Sequence, residues 1–458
     1  MNGDVMVDGP LAATATDGLR RLSSQDPALF SMLERDQIRQ EETLAMVASA
    51  SAADSSVLAC EGSAVGNVTT EGYPGRRYHA GCVVVDEIER LAVDRAKDVF
   101  GARYANVQPH SGSTANQVVM TSLLDPGDTI MGMELSAGGH LTHGAPVSFS
   151  GRYFRPVSYG VGPDGRLDHG EIAELARRHR PRLIVCGASS YPREIDFARF
   201  REIADEVGAY LLADISHIAG LVAAGLHPSP IDAAHFTTTS TYKQLYGPRG
   251  GLILMGADAD TPGPGGRRLS SVIQQGVFPY FQGTPRVNGI AAKARALGIV
   301  GSAGFHRLAE RVLDDARALA SALAELGWRV QTGGTDNHMV LVDTGGSGLT
   351  GANAERSLES CGIIVNRNKI PGDGYPARIS GGVRFGTNSL ALRGMGSEAM
   401  VECATLVDRV WRSLRSTGDD EFVLSEAVRE GVRAEVAELC RRFPVRAGVG
   451  EELVSSTP

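Results

Sequence analysis

What this 458-residue chain lacks narrows it first. Its six cysteines, at 60, 82, 186, 361, 403 and 440, are far apart and form no CxxC pair. That suits reduced thiols in a cytoplasmic protein better than a disulfide framework or a zinc site. No apolar stretch is long enough to span a bilayer. The start, Met1 to Asp17, lacks the positive n-region and apolar run of a secretion signal. Net charge is −8, and Lys and Arg are dispersed with no basic block, which argues against nucleic acid as a partner. There is no Gly-Lys pair, hence no Walker motif, and no HExxH or internal repeat.

What is present alternates. Strand-like runs at 129–133, 182–186, 209–214, 236–240 and 251–255 are interleaved with helix-like runs such as 198–207, which implies a mainly parallel sheet covered on both faces. Helices are also expected at 26–39, 86–100, 287–326, 398–415 and 421–443, with strand character resuming over 329–344. The organisation reads as an N-terminal arm and helix (1–60), a large α/β domain (61–300) and a smaller α+β domain (301–458).

One stretch anchors the chemistry. His235 to Ser240 is rich in threonine, and Lys243 follows it just before Gly247-Pro-Arg-Gly-Gly251. Threonines favour a strand and the glycines and proline a turn, so the lysine sits at a strand end. A partly buried lysine has a lowered pKa and can attack an aldehyde.

Other motifs point the same way. Ser111-Gly-Ser-Thr114 precedes an apolar helical run and can aim backbone N–H groups and hydroxyls at a phosphate, though an ordinary helix cap has the same spelling. Asp214 and His217 lie just past an apolar strand, where α/β proteins bind ligands. His140 and His143 lie on a glycine-flanked loop with no carboxylate or cysteine cluster nearby in sequence, so no metal is expected, while a flat imidazole can stack on a flat ring. Gly346-Ser-Gly-Leu-Thr-Gly351 matches GxGxxG but reads as a loop, because no acidic residue ends a second strand at the usual distance.

Together these pieces resemble the serine hydroxymethyltransferase family of fold-type I pyridoxal-phosphate enzymes. The matching text includes Glu71-Gly-Tyr-Pro-Gly-Arg-Arg-Tyr78, Ala105 to Ser113, Gly138-Gly-His-Leu-Thr-His-Gly144, His217 to Gly225, Lys243 with Gly247 to Gly251, Gly334 to His338 and Val365-Asn-Arg-Asn368, followed by Arg384. The resemblance implies a large domain with a mainly parallel, seven-stranded sheet and a smaller C-terminal domain. It implies that Lys243 forms the Schiff base with pyridoxal 5'-phosphate, that Asp214 pairs with the pyridine nitrogen, and that His140 stacks on the ring. Ser189 and His217 would contact the phenolic side, and Ser111, Gly112 and Ser113 the phosphate, helped by Gly283 across a dimer interface. Arg384 would grip the substrate carboxylate, assisted by Ser49. Glu71, from the partner chain, would move protons, and Leu135 and Asn368 would hold tetrahydrofolate. A homodimer, or a dimer of dimers, is then the working unit.

The chain departs from the family pattern around the substrate. Thr69 stands where a tyrosine is usual, and His79 replaces a second tyrosine after Tyr78. Tyr242 replaces the histidine before the lysine, Gln282-Gly-Thr-Pro285 replaces Gln-Gly-Gly-Pro behind bulky Tyr280-Phe281, and Ala48-Ser-Ala-Ser51 replaces Ala-Ser-Glu-Asn. Loss of an aromatic ring at Thr69 leaves room for a methyl group, as in the α-methylserine branch. The expected reaction is therefore hydroxymethyl transfer between α-methylserine, with D-alanine as its partner, and tetrahydrofolate. Ordinary serine/glycine transfer and a folate-independent threonine aldolase or transaldolase are the alternatives. A catalytically dead binding subunit is disfavoured by the presence of Lys243, Asp214, His140 and Arg384 together.

Overall fold

The strand-like runs become the middle of a seven-stranded sheet. In the computed structural model, which describes residues 9–445, its strands are β1 (Tyr104–Asn106), β2 (Thr129–Met133), β3 (Arg155–Tyr159), β4 (Leu183–Cys186), β5 (Tyr210–Asp214), β6 (Phe236–Ser240) and β7 (Gly251–Met255). Their order is β1-β7-β6-β5-β4-β2-β3. The run from β3 to β6 is parallel, and β7 is antiparallel to both β6 and β1. The reversal follows from the connection between β6 and β7, which holds no helix and so cannot make a parallel crossover.

The central strands are buried on both faces, and successive side chains point into opposite cores. Leu183 and Val185 of β4 face a core that includes Val118 and Met120, whereas Ile184 and Cys186 face one that includes Phe197 and Phe200. Helices therefore cover both faces. The edge strands β1 and β3 were not legible as strands. β1 has three residues, and β3 opens with exposed Arg155 and Pro156 and lacks an apolar run.

A second, four-stranded antiparallel sheet comprises β8 (Arg329–Val330), β9 (Met339–Asp343), β10 (Asn366–Asn368) and β11 (Gly382–Gly386), in the order β8-β9-β11-β10. It packs in a separate core with Trp328, Phe385 and Trp411. The GxGxxG segment does follow β9 and precede a helix, Gly351–Glu359, but β9 has only antiparallel neighbours. It is a loop between sheet and helix and not part of a dinucleotide-binding βαβ unit.

Several expected elements change their bounds. The stretch 287–326 is two helices, Val287–Val300 and Ala303–Glu325, broken at Gly301-Ser302, where the Ser302 hydroxyl accepts from Phe305 N and caps the second. That second helix sends Phe305 and Leu308 into the first core and Leu319 and Leu323 into the second. The 421–443 helix begins only at Glu426, because Phe422–Val423 pairs with Arg415–Ser416. At the other end, Pro10–Gln25 and Pro27–Glu42 are helices without a buried residue, where a polar arm and one helix were expected. The polar start at residues 1–8 lies outside the described residues. Leu44–Ala45 then pairs with Ile363–Ile364, stitching this N-terminal segment into the second core. No helix among the described residues is long and apolar enough to cross a membrane, and all six cysteines are free thiols.

Candidate active site

The carboxyl ends of β4, β5 and β6, the loop after β2 and one helix N-terminus converge on a cavity of about 330 Å³. Lys243 lies in its wall, three residues beyond β6. The strand is built of buried Thr237, Thr238 and Thr239. The turn that follows is closed by Gly247 N donating to Thr241 O (2.9 Å) and Thr241 Oγ1 donating to Pro248 O (2.6 Å). Tyr246 takes φ 48° to complete it. Burial pushes the Lys243 pKa down to about 8, against the pull of Asp214 and with help from Arg384 and Arg249. No protein group among the described residues hydrogen-bonds its ammonium, which leaves the amine to a ligand.

Asp214, the last residue of β5, is also buried. It accepts from Asn116 Nδ2 (2.7 Å), from His143 Nε2 (3.1 Å) and from Ser216 N (3.0 Å). Burial alone would raise its pKa, but the hydrogen bond and charge of His143, the charge of His140 and the side chain of Ser216 hold it well below the usual carboxylate range. Asn116 is itself fixed by Thr238 Oγ1, which donates to its Oδ1 (2.6 Å). The absence of a carboxylate near His140 and His143 thus holds only along the sequence. The fold brings Asp214 to them, and ligand atoms of all three lie within 4.8 Å of one another. His140 is set by a 2.8 Å contact between Nδ1 and Thr142 Oγ1, and burial pushes its pKa down to about 4.

Opposite, the helix Gly112–Leu123 presents its N-terminus to the cavity. Ser111 caps it by accepting from Thr114 N (3.0 Å), and Ser111, Gly112 and Ser113 all line the wall. Space at Gly112 is tight, since a Cβ there would lie 3.1 Å from Ser216 Oγ and 3.2 Å from Ser240 N. Ser189 and His217 line the same cavity. His217 is buried, its Nδ1 has no hydrogen-bond partner among the described residues, and burial followed by the charges of Lys243 and Arg384 drives its pKa well down. It stacks on His338, with ring centroids 5.8 Å apart.

Arg384, on β11, is buried beside this wall. Its Nε donates to Asn366 Oδ1 (3.1 Å) and one terminal nitrogen donates to Ser189 O; burial lowers its pKa to about 10. Ser49 is half-buried, next to Ala48, whose carbonyl accepts from His338 Nε2 (3.0 Å). Asn368 donates to Ser190 Oγ (3.2 Å), and Leu135 is 40% exposed.

Not every expected residue joins them. Glu71, Thr69, Tyr78, His79 and Gly283 do not line the cavity within one chain. Thr69, Tyr78, His79 and Gly283 are exposed, and Glu71 lies against Gly283, its Oε1 3.4 Å from where a Cβ would stand. Conversely, sequence reasoning missed Asn116 and the link from His143 to Asp214. It also missed Arg249, whose guanidinium lies 4.2 Å from the centre of the Tyr242 ring. Only folding joins Asn116 and His143 to Asp214, from which they stand 98 and 71 residues away in the chain.

A family model described as serine hydroxymethyltransferase matches residues 22–407. The chain belongs to the serine hydroxymethyltransferase family. It is 47% identical over 438 residues to a protein named serine hydroxymethyltransferase from Paramagnetospirillum magneticum, covering 95% of this chain and all of that one. It is equally similar, over 426 residues, to one from Rhodospirillum centenum, covering 93% of this chain and 96% of that one. A third, from Synechococcus sp., is 46% identical over 450 residues, covering 95% of this chain and all of the relative. Members are fold-type I pyridoxal-phosphate transferases that use tetrahydrofolate as co-substrate, and the large mixed seven-stranded sheet with its helices fits that class. The residues present fit the cofactor. An ionised, buried Asp214 suits a pyridinium nitrogen, the unbonded Lys243 amine suits an aldehyde, the orphaned His217 Nδ1 suits a phenolic oxygen, and the Ser111 helix start suits a phosphate.

Proposed function

We propose that this chain transfers a hydroxymethyl group between serine and tetrahydrofolate, with glycine as the other amino acid. One observation carries the reading: Lys243, Asp214 and the Ser111–Ser113 helix start surround one cavity, with Arg384 beside it. The names of the three relatives support serine as the substrate. They do not support the α-methylserine and D-alanine pair expected from Thr69.

Pyridoxal phosphate, when bound, supplies an electron sink for the substrate's α-carbon. The rest is done by the chain's residues. Asp214 would hold a proton on the pyridine nitrogen, and His140 would stack on the ring. Arg384 has its plane set by Asn366 and the Ser189 carbonyl, and its remaining N–H donors would grip a carboxylate. Ser49 would assist at that carboxylate, and Leu135 and Asn368 would hold the folate pteridine. Because Glu71 and Gly283 sit together outside the cavity, they would serve the site of a partner protomer. Glu71 Oε1 would move the proton there. A homodimer, or a dimer of dimers, is the working assembly, and the free thiols favour the cytoplasm.

A second reading rests on Thr69. The side chain is exposed on the segment leading to Glu71, and no aromatic ring stands at that position. In a shared site this leaves room for an α-methyl group, which would admit α-methylserine and D-alanine with Tyr78 and His79 at the rim. To separate the two, the purified protein is given serine or α-methylserine with tetrahydrofolate, and glycine and D-alanine are measured. Glycine alone supports serine/glycine transfer, and D-alanine in preference overturns it. Threonine cleavage to glycine and an aldehyde without folate would favour the aldolase.

A further inference from the structure

The helix Val287–Val300 is apolar along its buried face except for one residue. Lys293 is 4% exposed and lies between buried Ala292 and Ala294. Its ammonium donates to three backbone carbonyls, Val107 O (2.6 Å), Pro109 O (3.0 Å) and Gly251 O (3.0 Å). A lysine ammonium has three N–H donors and no acceptor, so all its hydrogen-bonding capacity is spent. A neutral amine could satisfy only two of the carbonyls. The third would face a lone pair.

What these carbonyls belong to matters more than their number. Val107 and Pro109 lie on the approach to Ser111, Gly112 and Ser113. Gly251 opens β7 immediately after Arg249 and Gly250, which line the same cavity. The ammonium therefore ties two chain segments at one point behind the phosphate end of the site. The fit is close: a Cβ on Gly250 would stand 2.2 Å from Lys293 Cε. Gln282 holds the same approach from the other side, accepting from His110 N (3.1 Å) and donating to Gln108 O (3.0 Å). Burial lowers the pKa of His110 in the cavity wall, and the charge of Lys293 adds to that shift.

We propose that Lys293 is a positioning residue for the phosphate cup, setting the backbone of residues 107–113 against Gly250-Gly251 so that the helix start meets the cofactor's phosphate. It touches neither cofactor nor substrate. The inference rests on the reading of the cavity as a pyridoxal-phosphate site.

A buried lysine can also serve stability alone, so the test must read the phosphate separately. Cofactor-free wild type, Lys293→Met and Lys293→Gln are titrated with pyridoxal phosphate and with pyridoxal, which lacks the phosphate. Binding is followed by cofactor absorbance, and folding by circular dichroism. Loss of three bonds from a charged donor predicts that Lys293→Met binds pyridoxal phosphate at least about tenfold more weakly and pyridoxal as before. Lys293→Gln, which keeps amide donors, should fall between. Equal weakening of both ligands, or no change for pyridoxal phosphate, overturns the proposal. Should Lys293→Met not fold, the glutamine variant decides by the same ratio. If wild type itself shows no preference for pyridoxal phosphate over pyridoxal, the cofactor reading fails, and that outcome is distinct from the others.

Discussion

His143 Nε2 lies 3.1 Å from Asp214 Oδ2, with both side chains all but removed from solvent. The contact gives the buried carboxylate a partner within the cavity wall. It also joins to a carboxylate a histidine that has none near it in sequence. Asp214→Asn keeps the shape and removes the charge that a pyridinium needs. It should lower kcat by about a hundredfold or more while retaining bound cofactor. His143→Ala should have a smaller effect of the same kind. Steady-state kinetics with the cofactor spectrum check both, and an Asp214→Asn variant of normal kcat would remove Asp214 from its role.

Lys243 should report its burial through pH. The neutral amine is the nucleophile, and its pKa is lowered from 10.5 to about 8 chiefly by burial. The rate at which cofactor-free protein takes up pyridoxal phosphate should rise with pH up to about 8 and level off beyond. An ordinary exposed lysine would keep gaining rate towards 10.5. Lys243→Ala should lose the absorbance of lysine-linked cofactor at every pH.

Shared active sites can be tested by mixing. Lys243→Ala and Glu71→Gln should each be inactive alone. If Glu71 serves the partner's site, dissociating and reassociating the two together should restore about a quarter of wild-type activity, one intact site in half of the dimers. If Glu71 acts within its own chain, no activity returns.

The hairpin that bears Glu71 hangs on Arg77. Its guanidinium reaches Asp86 Oδ1 (2.8 Å), Glu89 Oε2 (2.6 Å) and the carbonyls of Thr70 and Gly72, and Gln108 Nε2 donates to Glu89 Oε1 (2.8 Å). Arg77 and Glu89 are both buried. Arg77→Met should therefore lower stability by about 3–5 kcal/mol, because it leaves Glu89 buried without its counter-charge. Urea unfolding measures the loss. Arg77→Met with Glu89→Gln should recover part of it.

The sequence by itself determined the parts whose cause is local. Apolar runs of four or five residues made β2, β4, β5 and β7, because a strand covered on both faces needs no polar alternation, and a threonine-rich run made β6. Threonines before a glycine-proline turn put Lys243 at a strand end, and an ordered set of short motifs placed the chain in its family. Tertiary structure decided what depends on distant partners. β3 is an edge strand with exposed Arg155 and Pro156, so no apolar pattern marked it. The break at Gly301-Ser302 shows only when the Ser302 cap is seen. His143 became a carboxylate partner because β5 ends beside the loop after β2, 71 residues earlier. Lys293 carries no motif at all. Its three carbonyls come from two segments that meet only when β1 and β7 pair at the edge of the sheet, and a desolvated ammonium is stable only where such acceptors already converge.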